Sequence, residues 1–265
     1  MKQNMLGRTL GLCVALSIVA SVYGQGIYWE STASGSMMQG KTMTSKFYYM
    51  PKMFKTVTRE DGEAVMFRLD KEMMIMVNQK EKTYSEMTFA DMEKSMKQVS
   101  PKMDQAMAEM QKQMENMPEE QRKMVEKMMG EKMPGNKKEG MVEVVNTGEK
   151  KTVSGYSCTK FVIKEDGKEV AAVWATKDVK DFGAMRRDME EFSKRMAAMN
   201  PMVSKGLVEG MKTVEGFPIE TDIGETMKEV VTKIERKSIA ASEFEVPAGY
   251  KKVKSPLFGG KEEQE

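Results

Sequence analysis

The chain has 265 residues, with 42 Lys and Arg against 40 Asp and Glu, 31 methionines and no histidine. Without histidine, Ser-His-Asp and Cys-His catalysis and histidine-based zinc sites are excluded, because imidazole is the usual general base and metal ligand. The charges are interspersed and nearly balanced, so no positive cluster exists to release counterions, and nucleic acid is not an expected partner.

Residues 1–24 read as a secretory signal peptide. Lys2 and Arg8 form a basic start, an apolar run follows from Leu10 to Val22, and Val22-Tyr23-Gly24 ends it. The run is shorter than the roughly 20 residues a spanning helix needs. Its removal takes Lys2 and Arg8 and makes the basic and acidic counts equal. Cys13 leaves as well, so Cys158 is the one cysteine left and an internal disulfide is ruled out. Leucine is then scarce: only Leu69, Leu207 and Leu257 remain.

From Ile27 to Met87 the apolar period is two, which predicts about six antiparallel strands. Met43, Ser45, Phe47 and Tyr49 alternate with Thr44, Lys46, Tyr48 and Met50. Asp61-Gly62 suits a tight hairpin. Val65, Phe67 and Leu69 alternate with Arg68 and Asp70, and Met73–Val77 reads as a central strand.

A helical insertion is expected over 89–134. Met96, Met103, Met110, Met117 and Met124 fall seven residues apart, and Met107, Met114 and Met128 follow three of them by four. Pro101 and Pro118 divide this stretch into short helices. Strands return at Met141–Asn146, Tyr156–Lys164 and Lys168–Thr176, the last two joined at Asp166-Gly167. A second amphipathic helix is expected from Phe182 to Met199, with Met185, Met189, Phe192, Met196 and Met199 on its apolar face. Residues 201–216 read as loop or weak helix because of Gly206 and Gly210. Strands at Phe217–Ile223 and Met227–Ile239 follow, the latter with Val230, Thr232 and Ile234 inward. Phe244–Pro247 reads as a short last strand, and 254–265 as a disordered tail. One domain, 25–253, with about 11 strands results. It lacks the strand–helix alternation of a parallel α/β fold.

The methionine stripe admits three readings. It is the core face of helices packed on a sheet, or an adaptable apolar groove or lid, since thioether side chains repack around varied partners. The third reading is soft-metal chemistry: Met107/Met110 and Met114/Met117 are M-x-x-M pairs, and thioethers select Cu(I). Cys158 reads as a buried thiol. Trp29 and Trp174 read as core residues, with ligand stacking as the alternative.

Several motifs in order carry a resemblance. They are Gly26-Ile27-Tyr28-Trp29-Glu30, Val65–Asp70, Lys82-Thr83-Tyr84-Ser85-Glu86, Gly155-Tyr156-Ser157-Cys158-Thr159-Lys160, Val173-Trp174-Ala175-Thr176, Gly216-Phe217-Pro218 and Phe244-Glu245-Val246-Pro247-Ala248-Gly249-Tyr250. The set resembles an exported bacterial family, domain of unknown function 4412. Its strand pattern and Phe-x-Val-Pro-x-Gly ending are also similar to LolA-type periplasmic lipoprotein carriers. That resemblance implies an α+β fold: an open half-barrel of curved antiparallel sheet with helices over one face.

The expected function is non-catalytic binding, in the periplasm or outside the cell, of a lipid, acyl chain, lipoprotein or other apolar partner, with no cofactor and no membrane span after the signal. Peripheral association with the envelope fits this. The candidate ligand-binding residues are Met96, Met103, Met107, Met110, Met114, Met117, Met185, Met189 and Met196. The alternatives are Cu(I) at Met107, Met110, Met114 and Met117, and a structural envelope protein without ligand.

Overall fold

The computed structural model describes residues 23–58, 62–95, 105, 109, 112–113, 117–119, 140–197 and 205–255. Most of the expected signal peptide, most of the expected helical insertion over 89–134 and most of the expected tail lie outside them.

Six strands form the first meander: β1 (Tyr23–Ser34), β2 (Met43–Met50), β3 (Met53–Thr58), β4 (Glu63–Arg68), β5 (Met73–Asn78) and β6 (Thr83–Thr88). A helical segment follows at 89–95. The second meander contains β7 (Val142–Val153), β8 (Tyr156–Glu165), β9 (Lys168–Thr176), β10 (Phe217–Asp222) and β11 (Lys228–Ala240). Two helices, α1 (Phe182–Ala197) and α2 (Lys205–Thr213), lie between β9 and β10, and β12 (Lys251–Lys252) comes last.

All twelve strands form one sheet in the order β12-β6-β5-β4-β3-β2-β1-β11-β10-β9-β8-β7. The long antiparallel pair β1/β11 joins the two meanders at the centre, and only β12 runs parallel to its neighbour. The sheet is open, with β7 at one edge. β1 begins at Tyr23, so a cut after Gly24 would remove the pairs Tyr23↔Ala240 and Gly24↔Ile239.

Local chemistry sets the hairpins. Asp166 and Gly167 both take positive φ, 52° and 78°, as a two-residue turn matched to strand twist requires. Ser154 and Gly155 do the same at 49° and 84°. That turn extends β7 to Val153, well past the expected end at Asn146. An irregularity between Asn146 and Lys150 interrupts its alternation.

Two other expectations are corrected, in β11 and at Phe244–Pro247, and the reading of 201–216 as loop or weak helix is narrowed. Residues 205–213 are helix, and the two glycines there serve close packing: a Cβ on Gly210 would lie 2.4 Å from Ile163 Cγ2, and one on Gly206 2.8 Å from the Glu165 carboxyl carbon. In β11 a bulge opposite Glu30/Ser31 shifts the phase, so Val231 is buried and Thr232 exposed. Phe244–Pro247 is not a strand; a 3-10 turn over Ala241–Phe244 precedes the two-residue β12. Arg68 is buried, because the C-terminal segment lies on its face of the sheet.

The two faces are traced by register. Ile27, Tyr49, Phe54, Phe67, Met74 and Met87 form one row across β1–β6. Ala33, Glu229, Thr221, Val173 and Phe161 continue that same face across β11–β8. Both helices pack on it, and it is called the inner face below. α2 places Leu207, Met211 and Val214 on Phe161, Ile163 and Val173. The outer face of β3–β6 carries Ala64, Met66, Ile75 and Val77 and is covered by Val246 and Tyr250. Phe244, with no exposed surface, packs with Met50 and Ile239.

Candidate functional site

The inner face of β1–β6 is built from rows of cross-strand partners, because side chains two apart on a strand share a face. The first row lies under α1. Tyr49 and Phe54 rings are 5.0 Å apart, and Phe192 of α1 meets Phe67 at 4.3 Å and Phe54 at 6.5 Å. The second row is Trp29, Phe47, Thr56, Val65, Met76 and Ser85. Trp29 stacks on Phe47 with centroids 4.8 Å apart and planes 4° from parallel, and Phe217 meets Trp29 edge-on at 5.7 Å. The third row is polar: Ser31, Ser45, Thr58 and Glu63.

On the inner face Phe47, Phe54, Val65, Phe67, Met76 and Met87 are each half-exposed. On the outer face of the same strands Ala64, Met66, Ile75 and Val77 are all 5% exposed or less. Half-buried apolar side chains occur on both faces: Phe47, Val65 and Met76 lie in one inner row beside α1, whereas Tyr48, Met53, Val57, Met73 and Tyr84 lie around the outer clusters.

A buried carboxylate fixes α1. Asp188 accepts hydrogen bonds from the Tyr49 hydroxyl at 2.9 Å and the Lys52 backbone N–H at 2.8 Å, and pairs with Lys52 Nζ at 3.2 Å. Lys52 has φ of 64°, the turn conformation that presents its N–H. Burial and the bond to Asp188 push the Tyr49 hydroxyl well above its ordinary pKa. Lys52 also pairs with Glu191, and Arg195 links Glu191 to Glu72. At the other side Arg186 donates to the Val214 carbonyl at 3.3 Å and to that of Lys212, satisfying the end of α2.

The methionines divide. Met185 is 1% exposed and belongs to the apolar cluster with Tyr49, Phe217 and Ile219. Met189 is 42% exposed and points away from the sheet, because Asp188 rather than Met189 is drawn in. Met117 is half-buried. Met96, Met103, Met107, Met110 and Met114 lie outside the described residues, as does the side chain of Met196. The Cu(I) alternative thus rests on residues of which only Met117 is described. Among the described residues no three carboxylate or thiol side chains gather as a metal site. Cys158 is buried, and burial pushes its thiol pKa up, which makes it a poor nucleophile.

Sequence reasoning passed over Asp188, Tyr49, Phe192 and Phe47 as site residues, and raised Trp29 only as an alternative to a core role. The available signal for Asp188 was one acid at an apolar position, three residues after Met185 and four before Phe192.

On the outer face of the second meander, burial works to raise the Glu220 pKa. Lys151 at 2.9 Å and Lys228 at 3.0 Å outweigh it and hold the carboxyl below its ordinary value. Lys151 also lies 4.2 Å from the Trp174 ring centroid. This is a closed ion-pair cluster around a buried carboxylate. Among the described residues no helix is long and apolar enough to cross a membrane.

No curated protein matches the chain. Among solved structures it is similar to an uncharacterized conserved protein from Thermus thermophilus, at TM-score 0.42 and 7% identity over 86% of this chain and 90% of that one. It is also similar to PNGF-II, at TM-score 0.36 and 9% identity over 89% of this chain and 32% of that one. For MucB the values are 0.38 and 6%, over 86% and 59%. The model for the domain of unknown function DUF4412 matches residues 90–250, from the helical segment through Tyr250, and the chain belongs to that family.

Proposed function

We propose that this protein is a non-catalytic binding protein of the cell envelope, or of the space outside the cell, that holds an apolar ligand against the inner face of β1–β6. The reading is carried by two adjacent rows of half-buried apolar side chains beside α1, Phe54 and Phe67 in one and Phe47, Val65 and Met76 in the other. A contiguous apolar surface of that kind marks a binding site. Each Å² removed from water contributes about 25 cal/mol, so covering one acyl chain supplies useful affinity without any reactive group. The anchored α1 gives the groove a fixed wall. Export through the basic and apolar leader at 1–24 fits this role.

The test is native mass spectrometry of the protein lacking residues 1–24, purified without detergent, before and after solvent extraction. An extractable adduct is expected. The emptied protein should raise the fluorescence of N-phenyl-1-naphthylamine, and Phe47→Glu with Phe67→Glu should remove that rise while the fold is retained. A chain that carries no adduct and takes up no reporter overturns the proposal.

A further inference from the structure

We infer that the groove selects an amphiphile with a cationic, hydrogen-bond-donating head group, held at a polar notch formed by Ser31, Ser45 and Glu229. The inference rests on the apolar-groove reading above and adds the chemistry of the ligand's polar end. Ser31 and Ser45 are direct cross-strand partners on the inner face, and Ser31↔Ser45 lies one pleat repeat, about 7 Å, from the stacked pair Trp29↔Phe47. The two serines are unusually enclosed for hydroxyl side chains, at 1% and 9% exposure. Ser31 donates to Glu229 Oε1 at 2.6 Å, which brings the Glu229 carboxylate over this row from β11.

The charges around the notch have one sign. The polar row runs Ser31, Ser45, Thr58, Glu63, so its charged member is an acid, and Glu229 at its other end is a second. The nearby lysines sit elsewhere. Lys228 is on the outer face, engaged with Glu220 and Asp222, and Lys46 is adjacent in sequence to Ser45 and so on the outer face too. No ion pair occupies Glu229 among the described residues. A carboxylate with one oxygen taken by a hydroxyl keeps acceptor capacity on the other, and charge-assisted bonds to an ammonium are about twice as strong as neutral ones. An ammonium head fits this notch, with its alkyl chain along Phe47, Val65 and Met76. A carboxylate or sulfate head of the same chain length would meet the like charge of Glu229.

The probes are dodecylammonium and dodecanoate, below their micelle concentrations, displacing N-phenyl-1-naphthylamine from the protein lacking residues 1–24 at pH 7 and low salt. Dodecylammonium should displace the reporter at about tenfold lower concentration, the equivalent of one added charge-assisted contact. Glu229→Gln should bring the ratio close to one without weakening dodecanoate, and Glu229→Asp should keep most of the preference. Should the variants fail to fold, the wild-type ratio decides alone. Equal displacement by both probes, or a preference that survives Glu229→Gln, overturns the head-group inference and leaves the groove standing. A protein that takes up neither probe nor reporter overturns the groove itself.

Discussion

The two halves of the sheet solve the same burial problem with different covers. In the second meander α2 is the cover, and it seals the inner face. Leu207, Met211 and Val214 close over Phe161, Ile163 and Val173, while the outer face buries Cys158 and Val162 and carries the Lys151–Glu220–Lys228 cluster. In the first meander the cover is the chain's own C-terminal segment, and it seals the outer face through Phe244, Val246 and Tyr250. α1 then spans only part of the inner face, which leaves Phe47, Val65 and Met76 reachable. The comparison teaches that a binding surface arises where a sheet has spent its best cover on the opposite side. One half of this sheet is core, and the other half is core on one face and, in the proposed function, the binding site on the other.

The largest expected effect comes from removing the outer cover of the first meander. Phe244 is fully buried, so Phe244→Ala creates a cavity and should cost about 3–5 kcal/mol in urea unfolding. Arg68 strengthens the same attachment. Its guanidinium binds the Phe244 carbonyl at 3.0 Å and Asp70 through two nitrogens, at 2.8 and 2.6 Å. The cover on β3–β6 should therefore loosen before the second meander does, seen as early hydrogen exchange at Met66 and Ile75. A cost below about 1 kcal/mol, within the range of surface substitutions, would break the comparison, since the C-terminal segment would then be incidental to the sheet.

A smaller effect is expected at the inner cover of the second meander. Gly210 lets α2 approach Ile163 closely, and a Cβ there would already lie 2.4 Å from Cγ2. Gly210→Val should overpack this contact and cost about 2–3 kcal/mol. A neutral or stabilising outcome, of the kind helix propensity alone predicts for replacing glycine, would show that α2 rides loosely.

Much of this was legible because it is local. Asp166-Gly167 announces its turn through residues that tolerate positive φ, and the six strands of the first meander follow from period-two alternation. The α1 helix follows from its 3.6 spacing. What was not legible depends on partners distant in sequence. The alternation of Arg68 and Asp70 with apolar residues does not record that residues 241–252 return to β6 and cover Arg68. The β11 bulge moves Val231 inward because β1 pairs across it, which no pattern within β11 records. Glycines at 206 and 210 look like helix breakers until the sheet beneath them is known. Methionine spacing located the apolar stripe of α1, but position 188 shows the limit of spacing. The helix is rotated onto an aspartate because Tyr49 and Lys52 meet it there.

That rotation supplies the smallest of the three stability effects and the one that bears most on binding. If α1 is a fixed wall, its anchor is the Asp188 carboxylate, and Tyr49→Phe removes one of the donors it accepts. Loss of a hydrogen bond to a charged acceptor should cost about 1.5 kcal/mol, with Lys52 left to hold the carboxylate through its N–H and Nζ. The Phe192–Phe67 contact at 4.3 Å would survive. Reporter affinity should therefore change less than twofold while urea stability falls. A hinged lid behaves in the opposite way: weakening its latch shifts the population of open states, and reporter exchange would speed up well beyond the loss of stability. Measuring stability and reporter exchange on this one variant separates a groove whose wall is built in from one that must open to load.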